Sequence, residues 1–223
     1  MKDETAIKKI VVIGPESTGK STLCKQLAAH FNTLWCSEYA REYLLIHGKE
    51  YSYGDLLIIA KRQLQLEDAH VEKLRSMKYD VRNIVDKSQE PRTRNQRIRE
   101  QKSKNNKQEI ENRKLETANC KLLFIDTDMY VMKVWCEYVF GMCHQFILDQ
   151  IAERKYDLYL LCNIDLPWVP DELREYPEEA PRRELYQIYK NILINQQTFW
   201  GEVSGNQNER LRKAINAVEQ YTL

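Results

Sequence analysis

Gly14-Pro15-Glu16-Ser17-Thr18-Gly19-Lys20-Ser21 has the residue types and the spacing of a cradle for phosphate oxygens. It matches G-x-x-x-x-G-K-[ST] without a gap. A triphosphate needs several donors converging on its oxygens. Gly14 and Gly19 let the backbone curl tightly and turn its N–H groups inward, which makes Glu16, Ser17, Thr18, Lys20, Ser21 and Thr22 the accompanying nucleotide-binding candidates. A helix opening near Lys20 adds its positive dipole end. Lys20 then reaches the β- and γ-phosphates and the Ser21 hydroxyl ligates magnesium, so the cofactors to expect are ATP and Mg2+. The competing reading is a loop that only turns. An apolar strand before the motif and an amphipathic helix after it are the context that phosphate binding requires.

Other carboxylates fall where such a loop would need them. Asp126 ends the apolar run Leu122-Leu123-Phe124-Ile125, and the carboxyl ends of strands are where open α/β sheets bind ligands. It is a candidate magnesium partner, directly or through water; capping the next helix is the alternative role. Asp128 is a candidate for a substrate hydroxyl. Glu38, just after a second strand, is the candidate base or orienter of an attacking hydroxyl, with Tyr39 and Arg41 beside it on the acceptor side. An ordinary helix start would also place acidic residues there.

Asp165 to Arg174 carries two prolines and is followed by Arg182 and Arg183. A mobile arginine-bearing segment can neutralise charge and exclude water during transfer, with Arg174 first and Arg183 second as candidates. Surface pairing with nearby glutamates is the alternative. Trp168 can stack on a base or pyridine ring or plug the core. Gly205, in Ser204-Gly205-Asn206, can line an adenine pocket or simply turn the chain.

These residues need a scaffold. Strands are expected at Lys9–Ile13, Thr33–Ser37, Leu122–Ile125, Leu158–Cys162 and Thr198–Val203. Helices are expected at Ser21–Phe31, Tyr39–Ile46, Tyr53–Leu74, Val131–Phe140, Phe146–Lys155, Arg182–Ile194 and Asn208–Tyr221. Their alternation predicts a three-layer α/β fold of the P-loop NTPase type, a mostly parallel sheet flanked by helices. With 223 residues the chain accommodates one such domain, 1–223, plus a polar, basic insertion at about 75–119, either disordered or a helical hairpin. Tyr130, Trp135, Tyr138 and Phe140, at helical spacing, read as core.

A net charge of +1 gives no global argument for nucleic acid or a membrane surface. The basic stretch Arg92–Lys107 could touch a phosphate backbone, but it lacks interleaved aromatics and reads as a solvated or disordered surface, so nucleic acid is not the expected partner. Six cysteines without a CxxC pair, and a start unlike a signal peptide, point to a reduced, cytoplasmic protein with no membrane span. Cys143-His144 lacks the second ligand pair a metal site needs.

Gly-Pro-Glu-Ser-Thr-Gly-Lys-Ser-Thr, Ser-Glu-Tyr-Ala-Arg-Glu-Tyr, Phe-Ile-Asp-Thr-Asp, Tyr-Asp-Leu-Tyr-Leu-Leu-Cys and Asp-Leu-Pro-Trp-Val-Pro-Asp-Glu-Leu-Arg form a series. It resembles the ribosylnicotinamide kinase domain of the bacterial NadR family over most of the chain outside about 75–119. The resemblance implies transfer of the ATP γ-phosphate to the 5′-hydroxyl of nicotinamide riboside, yielding nicotinamide mononucleotide. It implies Lys20 and Ser21 as nucleotide and metal residues, Asp126 as the metal's acidic partner, and Glu38 and Arg41 on the substrate side. The chain departs from that family at Ser37, where an aromatic is usual, in its basic insertion, and in lacking the fused adenylyltransferase and DNA-binding modules. A small nucleoside-like acceptor is thus the expected partner. A kinase of another nucleoside, and a P-loop ATPase or nucleotide-dependent regulator with no acceptor, are the alternatives.

Overall fold

The computed structural model describes residues 6–89 and 121–222. Five strands, β1 (Lys8–Ile13), β2 (Leu34–Cys36), β3 (Leu122–Asp126), β4 (Leu158–Cys162) and β5 (Trp200–Val203), form one sheet in the order β2-β3-β1-β4-β5. Every pairing is parallel. All residues of β3 and β4 are buried, as expected of parallel strands covered on both faces, where apolar residues run on instead of alternating.

The helices among the described residues are α1 (Lys20–His30), α2 (Tyr39–His47), α3 (Tyr53–Gln89), α4 (Met129–Phe140), α5 (Gln145–Glu153), α6 (Glu179–Asn195) and α7 (Gln207–Thr222). One face of the sheet, through Ile10, Val12, Phe124 and Leu160, packs on α1 and α7. The other, through Val11, Ile13, Ile125 and Leu161, packs on α3, α4 and α6. A third cluster joins α2, α3, α4 and α5 beside the sheet through Leu44, Ile59, Met132 and Ile147. The register sets Val12 beside Asp126 and Ile13 beside Leu161, so the loop after β1 emerges next to the carboxyl ends of both neighbouring strands.

Two elements differ from expectation by three residues or more. Helix α6 starts at Glu179, before Pro181, because a proline in the first helical turn loses no intrahelical bond. Helix α3 runs on to Gln89, fifteen residues beyond the expected end at Leu74, into the start of the polar stretch. Its inward residues Leu56, Ile59, Ala60, Gln63, Glu67 and Leu74 keep helical spacing. The rest of the expected insertion, from residue 90 to 119, lies outside the described residues.

Glu67, 1% exposed, ties α3 to the sheet. Its Oε1 accepts from Lys9 Nζ (3.0 Å) and Arg154 Nη1 (3.3 Å), and its Oε2 from the Tyr156 hydroxyl (2.9 Å). Removing one member of a buried charge network strands its partners, at a cost of about 3 kcal/mol. Glu67→Ala should therefore lower the thermal midpoint by roughly 10 °C. An unchanged calorimetric midpoint would show that Lys9 and Arg154 are satisfied without it.

Candidate active site

The loop joining β1 to α1 is built on backbone conformations that few residues tolerate. Gly14 has φ +145°, Ser17 φ +57° and Gly19 φ +80°. A Cβ on Gly14 would stand 2.8 Å from the Cys162 carbonyl oxygen, so the loop packs directly on the end of β4. Thr18, fully buried, fixes the curl by donating its hydroxyl to Pro15 O (2.7 Å). Gly19 is the N-cap of α1 and no side chain caps that helix, which keeps its first amides for an anion. Lys20 Nζ donates to Pro15 O (2.9 Å) across the mouth of the loop.

Beside it, Asp126 is 1% exposed and neither carboxylate oxygen has a hydrogen-bond partner among the described residues. Burial first, and the negative charge of Glu38 second, push its carboxyl up to about 6; Lys20, Ser21 and Lys25 pull the other way. An orphaned buried carboxylate next to a hydroxyl and an ammonium fits a divalent cation held by Asp126, Ser21 and phosphate oxygens. Among the described residues no cluster of three or more His, Cys, Asp or Glu side chains offers a metal site on its own.

A cavity of about 280 Å³ extends from the phosphate loop. Glu38, Arg41 and Arg174 line it. Glu38 is the N-cap of α2 but its carboxylate makes no capping bond. Arg41 donates two hydrogen bonds to Asp171 (3.1 and 3.0 Å). Arg174 donates to Val169 O.

The wall opposite comes from α4. Asp128 caps that helix right at the sheet edge, so its first turns face the cavity with Val131, Val134, Trp135 and Tyr138, an i, i+3, i+4, i+7 stripe. Tyr176 meets Tyr138 edge-on at 5.6 Å between ring centroids. Trp135 Nε1 donates to the Tyr51 hydroxyl (2.8 Å), which donates to Glu175 Oε2 (3.1 Å). Trp135 and Tyr138 thus pack against the core, as expected, and line the cavity as well. Periodicity marks an inward face and says nothing of whether protein or ligand fills it.

Other expected site residues stand elsewhere. Asp128 is spent: it accepts from the amides of Tyr130 (3.1 Å) and Val131 (3.3 Å) and from the Tyr159 hydroxyl (2.9 Å), and burial raises its carboxyl to about 7. Tyr39 faces α3, its amide bonded to Gln63 Oε1 (2.7 Å), outside the cavity lining. Trp168 is half-buried and donates its indole N–H to Glu16 Oε1 (3.3 Å) instead of lining the cavity. Arg183 points to solvent and pairs with Glu179 one turn earlier, while Arg182 lies on the buried face of Leu185, Tyr186, Tyr189 and Leu193. Gly205 lies behind the phosphate loop, its amide bonded to Asp165 Oδ2 (2.5 Å), outside the cavity lining.

Arg210 was not foreseen. Its buried guanidinium donates to the carbonyls of Thr18 (3.0 Å), Gly205 (2.9 Å) and Asn163 (2.8 Å) and pairs with Asp165. It braces the phosphate loop from behind. Thr18 is 192 positions away in the chain, so no local pattern announces it.

Cys143 and His144 have structural partners: the His144 ring stacks on Tyr53 at 3.6 Å and its Nε2 meets Tyr53 O (2.8 Å). No helix among the described residues is long and apolar enough to cross a membrane.

A family profile described as an AAA domain matches residues 9–81 and 80–210. The trifunctional NAD biosynthesis/regulator protein NadR of Escherichia coli K12 is 29% identical over 192 residues, 84% of this chain and 35% of that protein. Its counterpart from Salmonella typhimurium LT2 gives the same figures. The chain spans about a third of the length of these curated relatives. Among solved structures, a NadR protein in complex with NR has TM-score 0.64 and 21% identity, covering 97% of this chain and 50% of that one. A NadR protein in complex with NAD and AMP-PNP has TM-score 0.56 and 21% identity, covering 97% and 49%. At that identity the structural likeness speaks to the fold.

Proposed function

We propose that this chain, which belongs to the AAA domain family, is an ATP- and Mg2+-dependent kinase that phosphorylates the 5′-hydroxyl of nicotinamide riboside. The observation that carries the reading is the continuity of the cavity, from the phosphate loop past Glu38 to the Trp135 and Tyr138 wall. Hydrolysis alone needs a water and no such wall. A nucleoside needs somewhere to lay a flat ring while its hydroxyl faces the γ-phosphate. The nicotinamide ring of the riboside is a pyridinium cation, and electron-rich faces of Trp and Tyr attract such a ring. Likeness to curated proteins named for NAD biosynthesis, and the fold shared with a NadR protein in complex with NR, support the same acceptor.

In the proposed reaction the 5′-oxygen attacks the γ-phosphorus. The new O–P bond forms as the bond to the β,γ-bridging oxygen breaks, and ADP leaves. Glu38 orients the hydroxyl and takes its proton. Lys20 lies against the transferring group, and Arg174 adds positive charge from the segment between β4 and α6. A magnesium ion bound by Ser21 and Asp126 would supply neutralising charge at the phosphate oxygens.

A screen of nucleosides and ribosides with ADP release as readout tests this. Nicotinamide riboside should raise the rate well above the acceptor-free background. Hydrolysis that no acceptor stimulates would replace the kinase reading with an ATPase. Glu38→Gln should lower kcat by about 10²-fold, the lower end for loss of a general base, with ATP affinity retained. A fully active Gln variant would move the base elsewhere.

A further inference from the structure

Glu16 is a variable position of the phosphate motif, whose nucleotide contacts are main-chain. Its side chain does something else here. Oε1 accepts from the Tyr176 amide (2.6 Å) and the Trp168 indole (3.3 Å), and Oε2 accepts from the Glu175 amide (3.0 Å). Next to it, Ser17 Oγ accepts from the Val169 amide (3.0 Å). Across the cavity mouth the Arg41–Asp171 pair holds the same segment.

Between β4 and α6 the chain forms no strand or helix, so the amides in its later part have no ladder to join. Two consecutive ones, at 175 and 176, converge on one carboxylate of the phosphate loop. The side chains carried by those two residues both reach the aromatic wall: Tyr176 packs on Tyr138, and Glu175 accepts from Tyr51, which holds Trp135. We propose that Glu16 is a positioning residue for the phosphate acceptor, setting the place of Tyr176 and Glu175 and through them the ring-binding wall. The proposal rests on the kinase reading above. Its physical content is a ruler: the loop that holds the phosphoryl donor also fixes, through one side chain, the wall against which the acceptor lies. A wall moved from that place holds the acceptor ring more weakly, so the loss falls on riboside binding.

Both oxygens are in use, so the isosteric amide is not a conservative change. Gln at 16 keeps one acceptor and turns an NH2 toward a backbone N–H. Glu16→Gln and Glu16→Ala should therefore behave alike. Steady-state rates with ATP and nicotinamide riboside varied separately should show the riboside KM rising about tenfold, with the ATP KM rising less than about threefold. Tyr176→Ala, which leaves the phosphate loop intact, should reproduce the riboside effect. Amide hydrogen exchange of Glu16→Gln should show faster exchange at 175 and 176, with the Thr18 and Lys20 amides unchanged. An unchanged riboside KM in an active protein overturns this proposal alone. A parallel rise in both KM values overturns it as well, by assigning Glu16 to the loop itself. A wild-type protein that phosphorylates no riboside overturns the kinase reading, and this proposal with it.

Discussion

Asp126→Asn should abolish phosphoryl transfer, by roughly 10³-fold in kcat, and yet yield a more heat-stable protein. Both outcomes have one cause. Asp126 carries two carboxylate oxygens without a hydrogen-bond partner among the described residues, at 1% exposure. Burial, then the charge of Glu38, raises its carboxyl to about 6 from an ordinary value of 3.8. The native state therefore holds a proton that the unfolded chain has released between about pH 4 and pH 6. In that window stability falls as pH rises, and above it the full cost of the ionised group persists, on the order of 2–3 kcal/mol. Asparagine cannot ionise and escapes the cost. The midpoint of the variant should exceed that of the wild type by roughly 5–8 °C at pH 8, and the gap should close toward pH 4. Adding MgATP should narrow the gap from the other side, because the wild type gains binding energy that the variant lacks. Calorimetry across pH with and without nucleotide measures all of this. A variant that melts below the wild type at pH 8 would mean that the carboxylate is held by protein groups and is no cation site.

Residues whose role follows from their immediate neighbours were legible in the sequence. The phosphate loop is one: Gly14 and Gly19 are demanded by backbone angles within the motif. The five-stranded parallel sheet is another, because strands buried on both faces write themselves as unbroken apolar runs such as Leu-Leu-Phe-Ile and Leu-Tyr-Leu-Leu-Cys. What was not legible depends on rotation about a helix axis or on distant chain segments. Asp128 and Asp126 are two residues apart at one strand end, yet one caps a helix and the other is left without a partner. Arg182 and Arg183 are adjacent, and rotation about the α6 axis puts only Arg182 on the buried face with Leu185, Tyr186 and Tyr189. Trp135 and Tyr138 have the spacing of core residues because the cavity wall is continuous with the core. Glu16 and Arg210 act across about 160 and 190 positions, a separation at which composition and spacing carry no signal.

Lys20→Ala should also lower turnover by roughly 10³-fold, with the opposite thermodynamic signature to Asp126→Asn. The Lys20 ammonium lies at the loop mouth, donating to Pro15 O (2.9 Å), and its charge is one of those holding the Asp126 carboxyl down. In the proposed reaction, removing it would take away a positive charge beside the transferring phosphoryl group, where negative charge must be spread over the equatorial oxygens. It also leaves Asp126 with less compensation, so the variant should be no more stable than the wild type and should lose most at alkaline pH. Nucleotide affinity should fall too, because in the proposed reaction Lys20 would contact the phosphates in the ground state as well as the transition state. Lys20→Arg should not restore activity: the guanidinium is a broad planar fork, while Lys20 presents a compact ammonium at the loop mouth. ADP release with riboside present, paired with titration of a fluorescent ATP analogue, separates the two effects. Should Lys20→Ala bind nucleotide and turn over like the wild type, the amides of Gly14 to Ser21 would not be cradling a triphosphate, and Glu38, Asp126 and the aromatic wall would need another ligand to account for them.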